Sequence, residues 1–142
     1  MSILSVLRFP SGLTLAVGGA GYLASLALPA FNCANGEGFY GYIVLLSGYV
    51  GFLGLDPRWL ANLGVLWIVG AIFLRRPERS TPVLVALITM ILALMSIVIP
   101  AAGCTGDPGS VAASIGLASG GYLWVASVCL LCLHLNYRLS RK

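Results

Sequence analysis

Apolar residues in this chain run together in long blocks, and polar residues are confined to short punctuations between them. Four blocks of about eighteen residues or more approach the ~20 needed to cross a bilayer core. They predict membrane spans at 13–31, 57–74, 82–99 and 110–135. Pro10-Ser11 leads into the first, and Pro29 lies near its end. Asp56-Pro57 opens the second and Thr81-Pro82 the third, each a capping acceptor followed by a proline whose missing N–H is harmless in a first helical turn. Pro100 stops the third, and Gly120-Gly121 is a weak point in the fourth. Ser25-Leu26-Ala27 is a loose small-x-small site of the kind that ends a secretory signal. Cys33 after Phe31-Asn32 is a poor lipoprotein context, however, and the stretch reads as a first span.

A fifth apolar stretch, 39–55, needs arbitration, and charge supplies it. Arg75-Arg76-Pro77-Glu78-Arg79-Ser80 separates two spans, and short loops rich in Lys and Arg stay cytoplasmic. With four spans, Arg8, Arg75, Arg76, Arg79, Arg138, Arg141 and Lys142 share the cytoplasmic side, and only Arg58 lies outside. A fifth span would split that set. Stretch 39–55 is therefore expected to be an external helix, interfacial or re-entrant, covered by protein where it dips to membrane depth. Arg75, Arg76 and Arg79 are the residues that set this topology. The predicted fold is an all-α membrane protein: one integral domain over 1–142, a four-transmembrane-helix bundle with both termini cytoplasmic, expected in a bacterial inner membrane.

Composition agrees. The 142 residues are 59% hydrophobic and 8% charged, where a soluble domain carries about 25% charged residues. The net charge of +4 resides at the chain ends and in one turn, with no aromatic interleaving, so the expected partner of the cations is lipid headgroups and not nucleic acid.

Small residues point to close helix contact. Gly41, Gly48, Gly51 and Gly54 fall near one face of the external helix, and Gly51→Leu is expected to disrupt assembly but not insertion. Ala112, Gly116 and Gly120 form a predicted ridge on the fourth span, and Ala16, Ala20 and Ala24 another on the first, beside Gly18, Gly19 and Gly21. The first cluster and the fourth-span ridge are the candidate partner surface.

Residues able to carry chemistry are few. Cys33 and Cys104 fall in the two external loops, on the oxidising side of a bacterial membrane, and are expected to form a structural disulfide. Cys129-Leu-Leu-Cys132 is a C-x-x-C pair read near the cytoplasmic end of the fourth span, in an apolar setting where cysteines act as small hydrophobes. In span count and in this pair the chain resembles the vitamin K epoxide reductase or disulfide-bond-forming family, which implies quinone-linked thiol chemistry. The predicted topology places the pair on the wrong side for those enzymes.

His134 is the sole histidine, read as an interface anchor beside Asn136, Tyr137 and Arg138, and with two cysteines on one helix it closes no metal site. Apart from Arg58 at the external edge of the second, no Asp, Glu, Lys or Arg falls inside a span, which argues against ion-coupled transport. Asp56 and Asp107 precede prolines near helix starts, Glu78 is in the charged turn, and Glu37 lies in a glycine-flanked loop. No catalytic, metal or cofactor residue is assigned. The expected function is that of a non-enzymatic accessory or assembly subunit, packing against a membrane-protein partner or copies of itself. A small homo-oligomeric channel or transporter is the alternative, and a quinone-linked membrane thiol oxidoreductase a third.

Overall fold

The computed structural model describes residues 11–33, 38–53, 57–74, 80–98, 102–105 and 111–140. These are mostly helical, with five α-helices: α1 (Ser11–Leu26), α2 (Gly41–Leu53), α3 (Leu60–Leu74), α4 (Ser80–Val98) and α5 (Ser119–Ser140). A 3-10 turn, Pro57–Trp59, leads into α3. Two helical stretches, Thr81–Val98 and Ser119–Leu139, are long and apolar enough to cross a membrane, and Gly12–Leu26 and Pro57–Phe73 are shorter apolar stretches.

Four short strands accompany the helices: β1 (Pro29–Cys33), β2 (Gly38–Tyr40), β3 (Ala102–Thr105) and β4 (Val111–Leu117), in the order β2-β1-β4-β3. All the pairings are antiparallel. The all-α expectation is thus corrected. The first span ends at Leu26 and not at Phe31, because Pro29 pushes the residue before it out of helical conformation and starts β1. The fourth begins at Ser119 and not near 110. Its first apolar residues, Val111–Leu117, are extended, and Gly116 adopts φ 155°, which a right-handed helix cannot contain. The Gly120-Gly121 pair accordingly lies in the first turn of α5 and does not weaken its middle.

The central layer is formed by α3, α4 and α5. Val65, Ile68 and Ile72 meet Ala86 and Ala93 and, from α5, Val128, Leu131, Cys132, Leu135 and Leu139, with Leu15 and Tyr22 of α1 against the cluster. Helix α4 shows the sorting most clearly. Pro82, Ala86, Thr89, Ala93 and Ser96 face inward, whereas Val83, Leu84, Leu87, Ile88, Ile91, Leu94, Ile97 and Val98 face outward. Small residues inside and bulky aliphatics outside invert the water-soluble pattern and suit helices that gain stability from close packing.

Candidate functional site

Helix contacts are built on missing side chains. A Cβ placed on Gly18 would lie 3.1 Å from the Leu131 side chain, and one on Gly21 2.5 Å from Ser127 Oγ, so these glycines let α1 press against α5. On the other side of the bundle, a Cβ on Gly64 of α3 would collide with Thr89 Oγ1 of α4. At the sheet end, Gly120 and Gly121 approach backbone carbonyls directly: a Cβ on Gly120 would lie 2.8 Å from both Leu28 O and Pro29 O. The Ala118 N–H donates to Ala30 O (2.9 Å) and the Gly41 N–H to Leu28 O (2.9 Å), so segment 28–30 joins the starts of α2 and α5.

One carboxamide joins three helices. Asn62 Oδ1 of α3 accepts from Tyr22 Oη of α1 (2.8 Å) and from Trp124 Nε1 of α5 (3.1 Å), and Asn62 is 7% exposed. A shared acceptor between two partly buried aromatic donors constrains the relative rotation of the helices, since an unpaired donor costs up to about 1–3 kcal/mol where it is cut off from water. Asn62 is not among the residues expected to carry a role, though a single Asn within the apolar run 57–74 is a visible signal. The buried hydroxyls of Ser25 and Ser127 are satisfied within their own helices, donating to Tyr22 O (2.6 Å) and Leu123 O (2.7 Å).

The outer surfaces differ in kind. Along α1, Gly12, Ala16, Ala20 and Ala24 recur every fourth residue and are exposed, with nothing within 4 Å of a Cβ built on Gly12 or on neighbouring Gly19. Leu13, Val17 and Leu23 border this strip and are 50%, 52% and 68% exposed. The ridge Ala16, Ala20, Ala24 thus lies on one exposed face of α1 and, among the described residues, is not packed against another helix of the chain.

Other expected positions fare variously. Gly41 opens α2, and a Cβ there would strike the Ser25 carbonyl and lie 2.9 Å from Leu26 Cα, so the external helix is held closely at its start. Gly48 and Gly51 fall within α2, but their surroundings, and Gly54 altogether, lie outside the described residues. The ridge Ala112, Gly116, Gly120 is corrected: Ala112 and Gly116 belong to β4 and only Gly120 to a helix, so the three share no helical face. Arg75, Arg76 and Arg79 lie outside the described residues, as do Glu37, Asp56, Glu78 and Asp107.

The later start of α5 also moves its chemistry. Cys129 and Cys132 are free thiols near the middle of the helix and not at its end, and Cys132 is in the core. His134 is 5% exposed, which corrects the interface-anchor reading. No group of three or more His, Cys, Asp or Glu side chains able to hold a metal occurs among the described residues. Cys33, 4% exposed at the end of β1, is not a free thiol. It pairs along the sheet with Ser114, and Cys104 pairs with Ala112, so both cysteine backbones meet β4 two residues apart.

At the opposite end, Arg138 in the last turn of α5 donates from Nη1 to Ile72 O (3.3 Å), a carbonyl near the end of α3. Trp59 Nε1 donates to Leu45 O (2.9 Å), tying the 3-10 turn to α2. Comparison with protein-family models, curated proteins and solved structures finds no match for this chain.

Proposed function

We propose that the protein is a four-span integral membrane subunit without catalytic activity, which assembles with a membrane partner or with further copies of itself through the outer face of α1. The observation that carries the reading is the exposed strip Gly12, Ala16, Ala20, Ala24, in contrast to the bulky side chains exposed on α4 and, at Leu63, Leu66, Trp67 and Phe73, on α3. Small residues four apart let a second helix backbone approach closely, and in a bilayer such van der Waals contact is a main source of helix association. In this reading α1, α3 with its preceding turn, α4 and α5 cross the membrane. Helix α2 and the sheet lie on the external side and both termini on the cytoplasmic side, a placement supported by the bias of cations toward that side. The setting is a bacterial inner membrane.

A Cys33–Cys104 disulfide belongs to the same proposal. Of the four cysteines in the chain, Cys129 and Cys132 are free and Cys33 is not, and the two loop cysteines meet the same strand. Bridging them would clamp the external sheet over the bundle. Both parts are open to direct test. Retention of the chain in membranes washed with alkaline carbonate checks insertion. Oxidative cross-linking of single cysteines placed at Ala20 and at Leu87 checks the surface: Ala20→Cys should cross-link to a neighbouring polypeptide and Leu87→Cys should not. Cross-linking from Leu87 alone would refute the assignment of the face.

A further inference from the structure

We infer that the α3/α5 end of the bundle, centred on Arg138, is a binding surface for anionic phospholipid headgroups. This rests on the four-span reading. Under that topology seven cations and one acid, Glu78, gather at one end, and one cation, Arg58, with three acids at the other, giving charges of +6 and −2 within the overall +4. Such a surplus attracts an anionic leaflet generally. The geometry of Arg138 makes the attraction local. Its Nη1 is anchored on Ile72 O, one of the terminal carbonyls of α3 that have no partner within the helix. The side chain is nonetheless exposed.

A guanidinium carries five N–H donors in a planar fork, and the contact with Ile72 uses one of them. The others remain for a phosphodiester, whose oxygens the fork matches in pairs. Anchoring also removes part of the rotamer freedom that a phosphate contact would otherwise have to fix. Arg141 and Lys142 follow immediately in the chain and add charge at the same terminus.

The occupant is a lipid and not a free anion, because the surface lies at the end of apolar helices, at the depth where headgroups reside. The test uses the full chain in nanodiscs of equal parts phosphatidylglycerol and phosphatidylcholine, with the lipids retained on the protein identified by native mass spectrometry. Wild type should retain phosphatidylglycerol preferentially. Arg138→Gln should lower that enrichment about fivefold, and Arg58→Gln should leave it unchanged. Should Arg138→Gln fail to fold, Arg141→Gln with Lys142→Gln should lower it instead. Equal retention of both lipids by wild type, an unchanged preference in these inner-end variants, or loss of preference when inorganic phosphate is added would overturn the proposal. A chain released by alkaline carbonate would refute the membrane reading itself, whereas a retained chain with no lipid preference would refute this inference alone.

Discussion

The outer faces of α1 and α4 are both apolar and, among the described residues, both exposed, yet they are made from different residues. Helix α4 presents Val83, Leu84, Leu87, Ile88, Ile91, Leu94, Ile97 and Val98, a surface of branched chains that fluid lipid tails can wet as well as any protein could. Helix α1 presents Gly12, Ala16, Ala20 and Ala24 between three larger side chains. Lipid gains nothing from a shallow small-residue strip, whereas a second helix gains close backbone contact. The inner faces show what such a strip can do: at Gly18 and Gly21 of α1 and at Gly64 of α3 a missing side chain lets a neighbouring helix press close, beside an aliphatic core of Val65, Ile68, Ile72, Val128 and Leu131. The outer strip of α1 repeats the chemistry of an occupied seam.

The comparison can be broken or sharpened in steps of decreasing size. Gly64→Leu should have the largest effect, about 3 kcal/mol or more, because the added side chain would force Thr89 and with it α4 away from α3. Thermal unfolding in detergent would show it, and Thr89→Ala should restore part of the loss. Ala16→Leu with Ala20→Leu should leave the chain folded but reduce assembly tenfold or more, roughly 1.4 kcal/mol at least, measured by the oligomer fraction in mild detergent. Asn62→Leu should destabilise the bundle by about 1–2 kcal/mol, since the Tyr22 and Trp124 donors lose their shared acceptor, and Trp124 emission should shift. Leu87→Ala with Ile91→Ala on the α4 face should change stability and assembly by less than about 0.5 kcal/mol. An α4 variant as damaging as the α1 variant would erase the distinction between the two faces.

The helices that were legible in the sequence are those with punctuation at both ends. Residues 57–74 and 82–99 carry prolines at their starts, and α3 with its turn and α4 occupy nearly those limits. The apolar stretch 39–55 likewise proves helical over Gly41–Leu53. The sheet was not legible, for a physical reason. Val111–Leu117 is a short apolar run, and such runs suit a strand or a helix equally until partners are known. Its partner β1 is remote in sequence and was itself absorbed into the first span.

That misreading propagated. Starting the fourth helix nine residues early created a false ridge at Ala112, Gly116 and Gly120 and put Cys129, Cys132 and His134 near the end of a helix that in fact runs on to Ser140. The small-residue spacing on α1 was readable, but its outward direction was not. Gly18 and Gly21, interleaved with the alanines on the same helix, turn inward, and only the packing of α5 decides which set is covered.

The most direct measurement is the mass of the particle released from native membranes in mild detergent, for wild type and for Ala16→Leu with Ala20→Leu. The account predicts that wild type emerges above the 14.8 kDa of one chain, as a defined multiple or with another polypeptide, and that the double variant emerges as a single chain. A wild-type particle of one chain, or a variant particle of unchanged mass, would contradict it.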